Sequence, residues 1–115
     1  MTPLELAQRI RARLADPERF TKGATARRAD GRPCRPDDPD AARWCLVGAA
    51  MLETIKLGVT INATALRFEF YHACFPGFSA ETVATFSDHA THTELLAKLG
   101  EGIARLEGRA PAPPA

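Results

Sequence analysis

"ARWCLVGAAML", residues Ala42 to Leu52, sets a Trp beside a Cys and then runs without charge as far as Glu53. Ahead of it, "RPDDPDAARW" has the chemistry of a helix start. Asp38 suits the N-cap, Pro39 the first helical position, and Asp37 and Asp40 the positive end of the dipole. The spacing predicts a second helix running from there to about Leu57. Trp44, Cys45, Gly48, Met51, Leu52 and Ile55 then share one broad face, and Val47 and Ala50 keep much of the other side apolar. Such a helix is central and mostly buried, with Gly58 as its stop. Trp44 should be largely buried, and Gly48, having no side chain, should mark where the last helix packs closely.

The rest of the chain reads outward from this segment. Thr2 and Glu5 form a capping box around Pro3, and Leu6, Ile10 and Leu14 recur at helical spacing until Asp16-Pro17, which predicts a first helix over 3–15. "ATARRADGRPC" centres on Asp30-Gly31, a pair that tolerates a tight turn, so a short exposed hairpin or an extended loop is expected. Residues 62–74 carry two patterns. Leu66, Phe70 and Cys74 recur as in a helix capped by Asn62, while Leu66, Phe68 and Phe70 alternate as in a strand; the helix is the reading taken. Phe75-Pro76-Gly77-Phe78 must turn, and Ser79 caps a short helix with Val83 and Phe86 that breaks at Ser87-Asp88. Thr91 and Glu94 box the last helix, whose stripe is Leu95, Leu96, Leu99, Ile103 and Leu106, and Gly108 ends it.

The expected fold is therefore mainly α: a small single-domain bundle of about four to five helices, with a short exposed β-hairpin or extended loop between helices one and two. Residues 1–108 form the domain, and the Pro/Ala-rich 109–115 is expected to be a disordered tail.

Composition narrows the function classes. The 115 residues, 45% hydrophobic and 25% charged, suit one soluble globular domain. The longest weakly charged run is far short of the roughly 20 residues of a membrane span. Pro3, Glu5 and Arg9 interrupt any signal-peptide core, so a cytoplasmic protein without membrane attachment is expected. Cys34, Cys45 and Cys74 make an odd count without paired zinc spacing, which points to reduced thiols.

No Gly-rich phosphate loop, HExxH, GxSxG or paired CxxC occurs, and no cofactor is expected. Three weaker features remain. "SDHATHTE" gathers Asp88, His89, Thr91, His92 and Glu94 at the start of the last helix, a place suited to an anion or an oriented polar side chain; the plainer account is that Thr91 caps the helix and the histidines are solvated. His89 and His92, even with His72 or Cys74, make an incomplete ligand set, so no metal is assigned. Cys45, read as two turns into helix two, is foremost a small buried hydrophobe beside Trp44. It becomes a nucleophile only if His92 or His89 folds against it, the fuller arrangement having His92 as base with Asp88 orienting the imidazole. Lys22, Arg27, Arg28, Arg32 and Arg35 form a basic segment able to contact phosphates, although no stacking aromatic lies among them and Asp37, Asp38 and Asp40 follow as internal partners.

Gly23, Ala26, Gly31 and Pro33, then Arg43-Trp44-Cys45 with Gly48-Ala49, then Asp88, Thr91 and His92 together resemble the uncharacterised bacterial and phage family called domain of unknown function 6197. The likeness runs from about Leu4 to Leu106, with Ser87 where that family has Asn and Phe20 where it usually has Trp. It implies the order of elements and no activity, cofactor or partner. The leading expectation is a small non-catalytic binding or accessory module of a bacterium or phage, with an unknown and possible protein partner. The alternatives are a nucleic-acid-binding protein using the basic 19–35 segment and a Cys-His hydrolase or acyl-transfer enzyme using Cys45 and His92.

Overall fold

A computed structural model of the chain describes residues 1–56 and 61–109. It is mainly helical: α1 (Pro3–Leu14), a 3-10 turn (Pro17–Arg19), β1 (Ala26–Arg28), β2 (Pro33–Cys34), β3 (Ala41–Trp44), α2 (Leu46–Ile55), α3 (Ile61–Cys74), α4 (Ala80–His89) and α5 (His92–Leu106). The three strands form one antiparallel sheet in the order β2-β1-β3. Gly58 and the tail from Ala110 lie outside the described residues.

The predicted hairpin is present, with Ala26 opposite Cys34 and Arg27 opposite Pro33, and Gly31 takes the positive φ its turn requires. The third strand is a correction. Residues 41–44, read as the first turns of helix two, instead pair with β1, placing Trp44 opposite Ala26 and Arg43 opposite Arg27. Asp38 caps a tight turn rather than a helix: its carboxylate accepts from the Asp40 N–H at 2.8 Å, and its carbonyl accepts from Ala41 N–H at 3.0 Å. Asp-Pro-Asp serves an Asx turn as well as a helix start, and pairing along β1 decides between them.

The helix therefore begins at Leu46, with Cys45 as its N-cap. The strand runs into it without a loop, held by Cys45 N–H on the Thr25 carbonyl (3.3 Å) and Thr21 N–H on the Trp44 carbonyl (3.0 Å). Gly48 is the second correction. A Cβ there would overlap the Thr25 carbonyl, so the missing side chain admits the backbone preceding β1 rather than the last helix. The close approach involving α5 is made by Gly102, where a Cβ would strike Cys74 of α3.

The other helices follow their local signals. Thr2, Ser79 and Thr91 cap α1, α4 and α5 through their hydroxyls, and Thr91 with Glu94 completes the capping box. Residues 62–74 are helical, with Asn62 inside the helix rather than capping it. α4 continues past Ser87-Asp88 to His89, because Ser87 faces inward and is buried.

The core gathers Leu6, Ile10 and Leu14 of α1, Leu46 of α2, Phe70 of α3, and Leu95 and Leu99 of α5. Each fully buried side chain of this size stabilises by about 1.5–3 kcal/mol. Trp44 is 9% exposed, as its expected burial requires. Its indole N–H donates to the Pro36 carbonyl at 3.0 Å, and the Arg13 guanidinium lies 4.8 Å above the ring.

Arg13 also donates to the buried Glu53 at 2.7 Å, and Lys56 reaches the same carboxylate at 3.5 Å. Burial pushes the Glu53 carboxyl up, but the hydrogen bond from Arg13 and the charges of Lys56 and Arg13 outweigh it and hold it below the usual range. A carboxyl depressed on folding contributes stability above its unfolded pKa and loses it as pH falls through its folded pKa. Glu53→Gln should therefore cost about 2–4 kcal/mol at pH 7 by leaving Arg13 without its counter-charge. It should also flatten the acid limb of a melting-temperature profile below the ordinary glutamate range.

Gly48→Ala sets its methyl against backbone and should cost about 3 kcal/mol or more. Gly100→Ala, in the middle of α5 with open space around it, should stabilise by up to about 1 kcal/mol. Thermal melts of the two variants provide the comparison.

Candidate functional site

Cys45 and His92 are placed by different parts of the fold. As N-cap of α2, Cys45 accepts the Gly48 N–H on its sulfur at 3.2 Å, and the residue is 2% exposed. His92 opens α5, where its ring packs against Phe20 at 5.5 Å and its Nε2 lies 2.6 Å from the Leu14 carbonyl. A carbonyl only accepts, so Nε2 carries the proton and the imidazole fastens α5 to the end of α1. The half-buried His92 is thus not the solvated residue that the plain reading made it. No hydrogen bond joins it to Cys45 among the described residues.

Asp88 and His89 are exposed in the last turn of α4, and the structure does not bring Asp88 to the His92 imidazole. The start of α5 is filled by its own box. Thr91 Oγ1 accepts from Glu94 N–H and Glu94 Oε1 accepts from Thr91 N–H, each at 3.1 Å, and the Thr91 N–H and hydroxyl hold the Glu94 carboxyl below its usual range. The N-terminus of α2 is similarly occupied, since Val47 N–H donates to Ser87 Oγ at 3.3 Å.

The basic segment is largely matched from within. Arg28 pairs with Asp38 at 2.8 Å, Arg32 with Asp30 at 2.8 Å and Arg35 with Asp37 at 3.2 Å. The Arg28 hydrogen bond holds the Asp38 carboxyl below the carboxylate range. Arg27 binds the Thr21 hydroxyl and the carbonyls of Gly31 and Lys22, bracing the hairpin. Lys22 is exposed. Among the described residues, no three His, Cys, Asp or Glu side chains are grouped to hold a metal ion, and no helix is long and apolar enough to cross a membrane.

Comparison with protein-family models, curated proteins and solved structures finds no match. The chain's own surface must then carry the functional argument.

That surface holds a feature the sequence reading passed over. A cleft of about 220 Å³ opens where α2, α3 and α4 meet, lined by Val47, Met51, Arg67, Phe68, Tyr71 and Val83 among others. Phe68 is 56% exposed. The signal was present in "LRFEFYH": once Leu66 and Phe70 face the core four residues apart, Phe68 must stand on the other side of the helix.

Accessibility also orders the thiols. Cys45 and Cys74 are buried and Cys34 is partly open; burial pushes the Cys74 thiol up to about 12 and raises that of Cys34. In folded protein at neutral pH, iodoacetamide should label Cys34 first, leaving Cys45 and Cys74 protected until unfolding. His92→Ala should not change the Cys45 rate as long as the fold persists. Peptide mass mapping over time gives all three rates, and rapid Cys45 labelling abolished by His92→Ala would restore the nucleophile reading.

Proposed function

We propose that the protein is a small, non-catalytic binding or accessory module of a bacterium or phage. The observation that carries this reading is the cleft at the α2, α3 and α4 junction, with Phe68 exposed on its rim. Large aromatics standing in water at the edge of a concavity are characteristic of contact surfaces. Phe78, also exposed, is otherwise employed: its ring lies 5.4 Å from Phe75 and 6.0 Å from the Lys98 ammonium. Phe68 has no such ring partner among the described residues.

The two alternatives have less support. Cys45 and His92 are each committed to a structural bond, and three of the five basic candidates already face carboxylates. Both observations favour a module that works by contact through an apolar surface.

The wild-type chain and Phe68→Ser, immobilised in parallel, test this against a bacterial lysate over a salt series. A macromolecule held by the wild type at high salt and reduced at least tenfold by Phe68→Ser is the expected result. Retention that falls steeply with salt and ignores Phe68 would instead return the basic segment to consideration, since counterion release governs phosphate contacts.

A further inference from the structure

The cleft pairs an apolar lining with polar groups that the fold uses only in part. Arg67 donates from Nη1 to the Thr54 hydroxyl at 3.3 Å. No carboxylate lies within ion-pair distance of it among the described residues. Among the described residues lining the cleft, Arg67 is the one cation. A guanidinium has five N–H donors in a planar fork matched to a carboxylate, and among the described residues Arg67 gives one of them to a protein acceptor, the Thr54 hydroxyl. One turn along α3, Tyr71 is mostly buried in the same wall, and its hydroxyl forms no hydrogen bond within the described protein. Burial pushes that phenol up to about 12 against the opposing charge of Arg67, so it remains a donor at neutral pH. Val47, Met51 and Val83 add only hydrocarbon and thioether to the lining.

We infer that this cleft binds a small monocarboxylate with a short apolar tail, its carboxylate on the Arg67 guanidinium and the Tyr71 hydroxyl and its tail along Met51, Val83 and Phe68. The inference rests on the reading of this face as the binding surface and names its ligand class. Charge complementarity selects the head group: the site offers donors and one positive charge, which suits an anion and repels an ammonium. Size selects the tail. A volume of about 220 Å³ is below that of drug-sized pockets, so a chain of roughly six to eight carbons suits it. With so few heavy atoms, dissociation constants should be on the order of 0.1–1 mM.

Sodium octanoate, acetate, 1-octanol and octylammonium can each be titrated into the full chain, with amide and methyl resonances followed by NMR. Octanoate should saturate and shift Met51 and Val83, at least tenfold more tightly than the other three probes. Arg67→Gln should weaken octanoate about tenfold or more and bring it level with octanol, and Tyr71→Phe should weaken it severalfold. Ala84→Phe changes an exposed residue on the cleft wall and leaves Arg67 and the core in place. It should block octanoate while the melting temperature stays near that of the wild type.

Equal binding of octanoate and octanol, no saturation by 10 mM on the scale set by such small ligands, or octanoate affinity indifferent to both Arg67→Gln and Ala84→Phe would each overturn the inference. A dimer in sedimentation velocity that Ala84→Phe dissociates would assign the cleft to a second copy and overturn it as well. Failure here with Phe68-dependent retention from lysate intact would remove the ligand class alone. Loss of Phe68-dependent retention together with failure of octanoate to bind would remove the binding-module reading itself.

Discussion

Trp44 is the point at which the sheet, the loop between β2 and β3 and two helices are joined. Its backbone pairs with Ala26 and bridges to Phe20, its indole N–H satisfies the buried Pro36 carbonyl, and its ring lies under Arg13. Arg13 then continues to Glu53, so one guanidinium spans from the end of the sheet to the far end of α2. A cation over an indole contributes about 0.5–2 kcal/mol depending on desolvation. Its geometric effect is larger than that figure suggests, because α1 and α2 are fixed relative to the sheet by the same side chain. Glu53 is buried at a cost, and Arg13 with Lys56 offsets it only in that relative placement.

The placement of the cleft follows from how α2 starts. Since β3 passes directly into α2 at Cys45, the sheet dictates the direction of the helix, and the Gly48–Thr25 contact sets its distance. One side of α2 is thereby turned to α1 and the core. Val47 and Met51 are left toward α3 and α4, where α4 is tied by the Val47–Ser87 bond. The three helices meet around a gap instead of closing it, and Arg67 and Tyr71 stand at that gap.

Much of the architecture was legible because its signals are local. Thr2, Ser79 and Thr91 each lie one residue before a helix, and the apolar stripes of α1 and α5 repeat at the helical period. What was illegible depended on partners distant in sequence. Residues 41–44 have no strand-like alternation, and become a strand because β1 offers unpaired backbone. The thiol of Cys45 became an N-cap for the same reason, once the helix was displaced toward the C-terminus. His92 looked like a catalytic candidate from its neighbours in sequence, yet its partner is Leu14, at the other end of the chain's order. The cleft was the least legible part, since it exists only as the space left between three helices.

The bond from His92 to Leu14 has a consequence for how the chain matures. The first helix, α1, is covered by α5, and the core leucines of each are buried against elements far away in order. As the polypeptide leaves the ribosome, Leu6 and Ile10 can pack on α2 and α3 as these emerge, but the side of α1 that α5 covers stays in solvent until residues near Leu99 and Ile103 have been made. Hairpin, α1–α2 and α1–α3 contacts can form before α5 has been made, while closure of α1 is complete only after it. Nascent chains halted before α5 would therefore expose an amphipathic first helix, a surface that chaperones bind and proteases find.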